Sequence, residues 1–314
     1  MRTNKIIIIA EAGVNHNGNI KLAKKLISAS AKAGADYVKF QTFDPDSMIK
    51  KGTKLANYQK KNMKKILSQY DLLKKYELQK KYYKELIKFA KKKKIGFISS
   101  PFDIKSLNFL KNFNLNFIKI PSGEINNLPY LIEVAKMNKK VILSSGMSTI
   151  RDISVALNIL TKNNLKKNNI TLLHCHTEYP SNPEHLNLKA ITSLKKKFNI
   201  EIGYSDHSIG STAAIMAVGL GCSAIEKHIT LNNKMTGPDH KASMEPKDFK
   251  NMVEDIRMAE KMLGDGNKKP TSVEIKNKKL VRKSIVAKKS IKQNEIFTED
   301  NICTKRPGTG ISPM

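Results

Sequence analysis

The chain has 314 residues, with 57 Lys+Arg against 27 Asp+Glu and a formal net charge of +30. Hydrophobic residues make up 40%, enough for one large domain and a small one, and no apolar run approaches the ~18–20 residues a membrane span needs. The basic start leads into an apolar run at residues 6–10 that meets Glu11 at once, too short for a secretion signal, and three sparse cysteines (Cys175, Cys222, Cys303) point to a reducing cytoplasm rather than a disulfide framework.

From that first run onward one pattern repeats: a short apolar run, a polar cluster, then an amphipathic helix. The runs fall at residues 6–10, 37–40, 95–99, 117–120, 141–143, 171–173, 200–203 and 223–226. They are apolar throughout rather than alternating, as strands buried on both faces of a parallel sheet read. Helical periodicity fills the gaps at 22–34, 82–93, 128–138, 152–162 and 211–221. Eight such units predict an α/β fold of the (β/α)8 TIM-barrel type over residues 1–266. A doubly wound sheet is the rival, weakened because no G-x-G-x-x-G follows the first strand. Residues 267–280 are polar and basic and read as a linker. Residues 281–314 carry short strand and turn signals, read as part of a small β-rich domain too short to close its own core.

The charge has a bland component. Lys91-Lys92-Lys93-Lys94 and Lys195-Lys196-Lys197 fall at the ends of helical stretches, where cations suit the helix dipole. Aromatic residues are not interleaved with the basic runs, which argues against a nucleic-acid surface. The polar clusters all follow the strands, so in a barrel they meet at the C-terminal face, where active sites sit. Lys39 and Lys119 end the second and fourth strands beside Ser100, Ser122, Ser144 and Ser205, a set suited to a phosphate or carboxylate. The bland alternative is an ion pair of a lysine with Glu11 or Glu124. His207 and His228 end neighbouring strands and suit a divalent metal, with Glu11 and Asp239 near enough in the pattern to support it. His174-Cys175-His176 is a rival metal motif, with His174 read as a core histidine. His16 reads as a turn residue, His185 as solvent-facing or a helix cap, and His240 as a support for the metal shell. Asp103 reads as a helix N-cap. Glu124 and Asp239 suit sugar hydroxyls or proton transfer, and Gln41 and Tyr179 add neutral donors and a stacking face.

The motifs Glu11-Ala12-Gly13-Val14-Asn15-His16-Asn17-Gly18, Lys39-Phe40-Gln41-Thr42-Phe43, Ser100-Pro101-Phe102-Asp103, Lys119-Ile120-Pro121-Ser122-Gly123-Glu124, Gly203-Tyr204-Ser205-Asp206-His207, Glu226-Lys227-His228 and Gly237-Pro238-Asp239-His240 resemble, in order, those of the N-acetylneuraminate (sialic acid) synthases. The tail Lys305-Arg306-Pro307-Gly308 resembles the start of that family's antifreeze-like (SAF) domain. The resemblance implies a TIM barrel acting as a domain-swapped homodimer, and condensation of phosphoenolpyruvate with an N-acyl hexosamine. The main expectation is an N-acetylneuraminate synthase using N-acetylmannosamine. The alternative is a legionaminic or pseudaminic acid synthase using a 2,4-diacetamido-trideoxyhexose. Thr177 stands where one branch has Asn, and the Thr-Glu-Tyr-Pro form occurs in synthases for neuraminic and for legionaminic acid.

Carried over by position, His207 and His228 hold the metal, manganese foremost with magnesium or cobalt as alternatives. Lys39, Ser100, Lys119, Ser122, Ser144 and Ser205 hold phosphoenolpyruvate. Gln41, Thr177, Tyr179, Asp239 and, from the partner subunit, Arg306 hold the sugar. Glu11, Glu124 and His228 are the expected catalytic residues, in a cytoplasmic enzyme that binds neither nucleic acid nor membrane.

Overall fold

The computed structural model describes residues 5–63 and 68–314; the basic start of the chain lies outside them. Two compact units divide the chain, residues 1–263 and 264–314.

The larger unit holds the eight expected strands: β1 (Ile7–Gly13), β2 (Tyr37–Thr42), β3 (Gly96–Pro101), β4 (Phe117–Ile120), β5 (Lys140–Ser144), β6 (Ile170–Cys175), β7 (Glu201–Asp206) and β8 (Ala224–His228). They pair in parallel in the order β3-β2-β1-β8-β7-β6-β5-β4, and β3 contacts β4 across the seam. This is the TIM barrel the repeat predicts.

Side-chain parity explains how one set of strands makes both a core and a site. Ile9, Ile98, Phe117, Ile142, Leu173 and Ala224 form a dry cluster inside the barrel. Two residues further along each strand, the same inward face carries Glu11, Ser100, Lys119, Ser144, Cys175 and Glu226. The opposite parity, including Ile8, Val38, Ile118, Leu143, Leu172, Ile202 and Ile225, packs on the helices in the main core. Each fully buried Ile or Leu there contributes about 1.5–3 kcal/mol. Gly203 is required inside. A Cβ there would lie 2.5 Å from Leu173 and 2.7 Å from the Ala224 carbonyl oxygen.

The helices dock by their apolar stripes. Helix Ile20–Lys32 buries Ala23, Leu26, Ile27 and Ser30, and Asn19 caps it by accepting from the amides of Lys21 and Leu22. Helix Ile150–Lys162 begins with a capping box between Thr149 and Asp152. The lysine runs lie where the dipole favours them, with Lys91 and Lys92 in the last turn of Tyr83–Lys92 and Lys195, Lys196 and Lys197 in that of Ala190–Phe198. The long connection after β2 supplies elements the sequence reading left out, the helices Pro45–Met48, Asn57–Asn62 and Gln69–Tyr76. Leu55, Met63, Leu72 and Tyr76 of this segment pack on Val14 and Phe43.

The smaller unit pairs β9 (Ser284–Ala287) with β10 (Ile302–Lys305) in an antiparallel ribbon. The expected linker is not unstructured. It carries a helix, Ser272–Val281, with a Thr271–Glu274 capping box. Among the described residues no helix is long and apolar enough to cross a membrane.

Candidate active site

At the C-terminal ends of the strands the inward residues enclose a cavity of about 200 Å3 lined by both lysines, both candidate metal histidines and the serines. Lys39 and Lys119 are 3% exposed, so their charges need partners. Lys39 Nζ donates to Ser100 Oγ at 3.2 Å and pairs with Glu11 at 2.8 Å. Lys119 Nζ donates to Ser144 Oγ at 2.6 Å. Between the two lies Glu226, 3.6 Å from Lys39 and 3.8 Å from Lys119, which accepts from Ser205 Oγ at 3.1 Å. The sequence reading assigned no role to Glu226. Counting by two from the inward Ala224 finds it, on the same face as His228. The expected anion cradle is therefore also an ion-pair network.

The two buried carboxylates are driven apart. Burial raises Glu11 above the usual carboxylate range, against the pull of Lys39. Burial pushes Glu226 the same way, but the ammoniums of Lys119 and Lys39 hold it below that range. Burial lowers Lys119 despite Glu226. Lys39, also desolvated, is held above its usual range by Glu11 and Glu226.

His207 and His228 face each other with ring centroids 5.5 Å apart. Burial drives His207 down to about 4 and His228 well below its usual value, so both are neutral at working pH. His207 Nδ1 donates to the His176 carbonyl oxygen, which fixes the tautomer and leaves the lone pair on Nε2, 3.4 Å from Ser205 Oγ. His228 Nδ1 is buried without a hydrogen-bond partner, and Glu11 Oε2, turned into the same cavity, meets the Lys39 ammonium at 2.8 Å. Two neutral imidazoles, one with an unpartnered ring nitrogen, beside a buried carboxylate fit a divalent first-row ion. Gly13, at φ +50°, keeps the approach open, since a Cβ there would lie 3.3–3.4 Å from Glu11, Gln41 and His228.

The remaining candidates divide. Gln41 donates to Glu11 at 3.1 Å, and Tyr179 covers His207 at 4.1 Å between centroids. Thr177 lines the cavity. Ser122 accepts from the Gly146 amide at 3.0 Å and touches Cys175, which lines the cavity too. Asp239 is buried, and burial with the Glu11 charge raises it to about 7. Glu124 is absent from the cavity wall and accepts from Asn127, the cap of helix Leu128–Lys136; the structure gives it the loop-stabilising contact. Arg306 is exposed in the smaller unit. Asp103 caps helix Ile104–Leu110 as expected. His174 is bonded to the Leu186 carbonyl oxygen, and His16 accepts from the Gly18 amide. His240 is bonded to Thr230. A second cavity of about 860 Å3 shares Thr177 and Tyr179 and adds Asn57, Tyr58, Asn62 and Lys241 from outside the strands. Tyr58 packs 5.1 Å from Tyr179; the sequence signal for it was the unusual length of the connection after β2.

The model of the NeuB family matches residues 26–268. The chain belongs to this family. It is 53% identical to an N,N'-diacetyllegionaminic acid synthase of Campylobacter jejuni, over 99% of this chain and 93% of the relative. It is 42% identical to the synthase of the same name from Legionella pneumophila, over 98% and 86%. A crystal structure of the N-acetylneuraminic acid synthetase of Leptospira borgpetersenii superposes with a TM-score of 0.77 at 34% identity, covering 88% of this chain and 90% of that one. The enzyme class read from the motifs, a nonulosonic acid synthase, holds for this NeuB-family chain. The specific sugar does not. The legionaminic names at 53% and 42% identity overturn the reading as an N-acetylneuraminate synthase acting on N-acetylmannosamine. That reading leaned on motifs lining the inner cavity, and Thr177 does not separate the sugars.

Proposed function

We propose that this chain condenses phosphoenolpyruvate with a 2,4-diacetamido-trideoxyhexose and water to give an N,N'-diacetyllegionaminic acid and phosphate. The convergence of Lys39 and Lys119 with His207 and His228 on one cavity carries the chemistry. The 53% identical relative carries the sugar.

The phosphate and carboxylate of phosphoenolpyruvate take the ammoniums of Lys39 and Lys119 and the hydroxyls of Ser100, Ser122, Ser144 and Ser205 through charge-assisted hydrogen bonds. The two lysines are already balanced by Glu11 and Glu226. Anion binding therefore favours a proton on Glu11, the carboxylate whose affinity for protons burial raises. Glu226 stays ionised as the fixed counter-ion. Two carboxylates with pKa values pushed apart take separate roles. Carbon 3 of phosphoenolpyruvate bonds to the sugar aldehyde carbon while Glu11 supplies a proton to the aldehyde oxygen. Water adds at carbon 2, one of its protons restoring Glu11, and the other goes to the phosphate as the carbon–oxygen bond to phosphate breaks and the carbon 2 carbonyl forms. A divalent ion on His207 and His228, manganese foremost, with magnesium or cobalt as alternatives, supplies Lewis acidity when bound. Tyr179, Thr177, Gln41 and Asp239 orient the open-chain sugar, and the larger outer cavity has room for its second acetamido group. The resemblance carries with it a homodimer in which Arg306 reaches the partner's sugar. A single sedimenting species of dimer mass, and a raised sugar KM in Arg306→Ala, would bear that out.

Phosphate release decides the sugar. The diacetamido sugar should support turnover with a kcat/KM well above that for N-acetylmannosamine. Equal or reversed values reject the assignment while leaving the reaction class standing.

A further inference from the structure

The loop after β6 carries a second set of donors outside the inner cavity, one of them, Glu178, on the wall of the larger outer one. His176, Glu178 and His185 each place one ligand atom within 4.8 Å of the other two. The imidazole centroids are 5.8 Å apart, and His185 Nδ1 lies 3.8 Å from the Glu178 carboxylate. Ser181 orients the first of them. Its Oγ is 3.1 Å from His176 Nδ1, and its own proton goes to the Glu178 carbonyl oxygen at 2.7 Å. The Glu178 amide approaches the same nitrogen at 3.4 Å, so Nδ1 is taken up inside the loop and Nε2 is the nitrogen left for a ligand. A hydroxyl behind the ring is how outer partners aim a ligating histidine. Two imidazoles and one carboxylate suit zinc and its neighbours rather than magnesium or calcium.

We propose that His176, Glu178 and His185 form a second, solvent-facing site for a zinc-class transition ion, one that fixes the loop bearing Thr177 and Tyr179. Bonds of about 2.0–2.1 Å to a tetrahedral ion set donors roughly 3.3 Å apart, so the three side chains must close slightly. His185 and Glu178 have side chains 58% and 55% exposed and are free to move. Three protein donors leave a fourth position for water. The loop is tied to the cavity at two points: the His176 carbonyl oxygen accepts from His207 Nδ1, and the Tyr179 ring lies on His207. An ion held on the outside of this loop therefore holds Tyr179 over the inner site. The inference stands on the loop alone and does not need the proposed sugar.

Equilibrium dialysis of the tag-free full chain against zinc, with the ions counted per chain, tests it. His185→Ala should bind one ion fewer than the wild type. Glu178→Gln, a milder change at an exposed position, should weaken the same ion. His207→Ala should keep it. In the wild type, zinc should slow amide exchange across residues 177–182, and His185→Ala should lose that protection. Equal counts in wild type and His185→Ala, or loss of every ion in His207→Ala, overturn the proposal.

Discussion

Asp239 is a carboxylate that this fold prefers to keep protonated. Burial, with the Glu11 charge added, raises it from 3.8 to about 7. The folded state thus binds a proton that the unfolded chain has already lost between those two values. Its share of stability is present below pH ~4 and is lost as pH rises to about 7. Asp239→Asn removes that slope. Urea unfolding of the metal-free protein should show the variant more stable than wild type at pH 8 by up to about 4 kcal/mol, with the gap closing toward pH 4; a gap that does not change with pH would refute the burial account. Gly13 offers a second test. At φ +50°, with Glu11, Gln41 and His228 around its missing Cβ, Gly13→Ala should cost about 1–3 kcal/mol of strain and weaken metal binding, seen by calorimetric titration with manganese. Most of the site was legible at this scale because lysine and histidine in an apolar run have few structural excuses. Glu226 was not, because a glutamate among strand residues reads as an edge until side-chain parity places it inward. Glu124 shows the converse: a carboxylate after a strand reads the same whether it faces the cavity or accepts from a loop residue, as Glu124 does from Asn127.

The strands were found where expected, but seven of the eight continue past the expected C-terminal end. Strand β1 runs on to Gly13, pairing Glu11 with Lys39 on one side and His228 on the other. The ladder continues through residues whose polarity reads as loop, since buried ion pairs satisfy what water would. Only the barrel's function puts charges there, so hydropathy alone truncates these seven strands at the site. The same ends hold a second buried pair, on the opposite parity. Lys227 Nζ donates to Asp206 at 2.7 Å and to the Ser208 carbonyl oxygen at 2.8 Å, with both side chains essentially buried. Each partner is the chain neighbour of a candidate metal ligand, His228 or His207. Lys227→Met leaves Asp206 as an unpaired buried charge and should cost about 3–5 kcal/mol, with a weaker metal site. Adding Asp206→Asn should recover much of the stability, and a double-mutant cycle by urea unfolding measures that coupling. Additive losses would mean the pair does not join the two strand ends.

The whole molecule carries a formal charge of +30, and its buried charges are nearly balanced among themselves. Lys39 and Lys119 meet Glu11 and Glu226, and Lys227 meets Asp206. The excess therefore lies on the surface, mostly as lysines on helices. There it repels itself, and that repulsion is strongest in the compact state. Surface ion pairs such as Lys136–Glu133 and Lys250–Glu254 contribute little, about 0–1 kcal/mol each. Salt screens both effects, but the repulsion dominates because cations outnumber anions about two to one. Raising the ionic strength from ~0.01 to ~0.15 M shortens the screening length from about 30 to 8 Å. The urea midpoint should therefore rise with sodium chloride over that range, not fall as it would for a surface held by ion pairs. The same excess should draw an anionic substrate inward, so kcat/KM for phosphoenolpyruvate should fall over the range in which stability rises. Opposite slopes for the two quantities, measured on one preparation, would tie the net charge to both. Parallel slopes would mean that the lysine-rich surface acts on the fold and on the cavity through some other force.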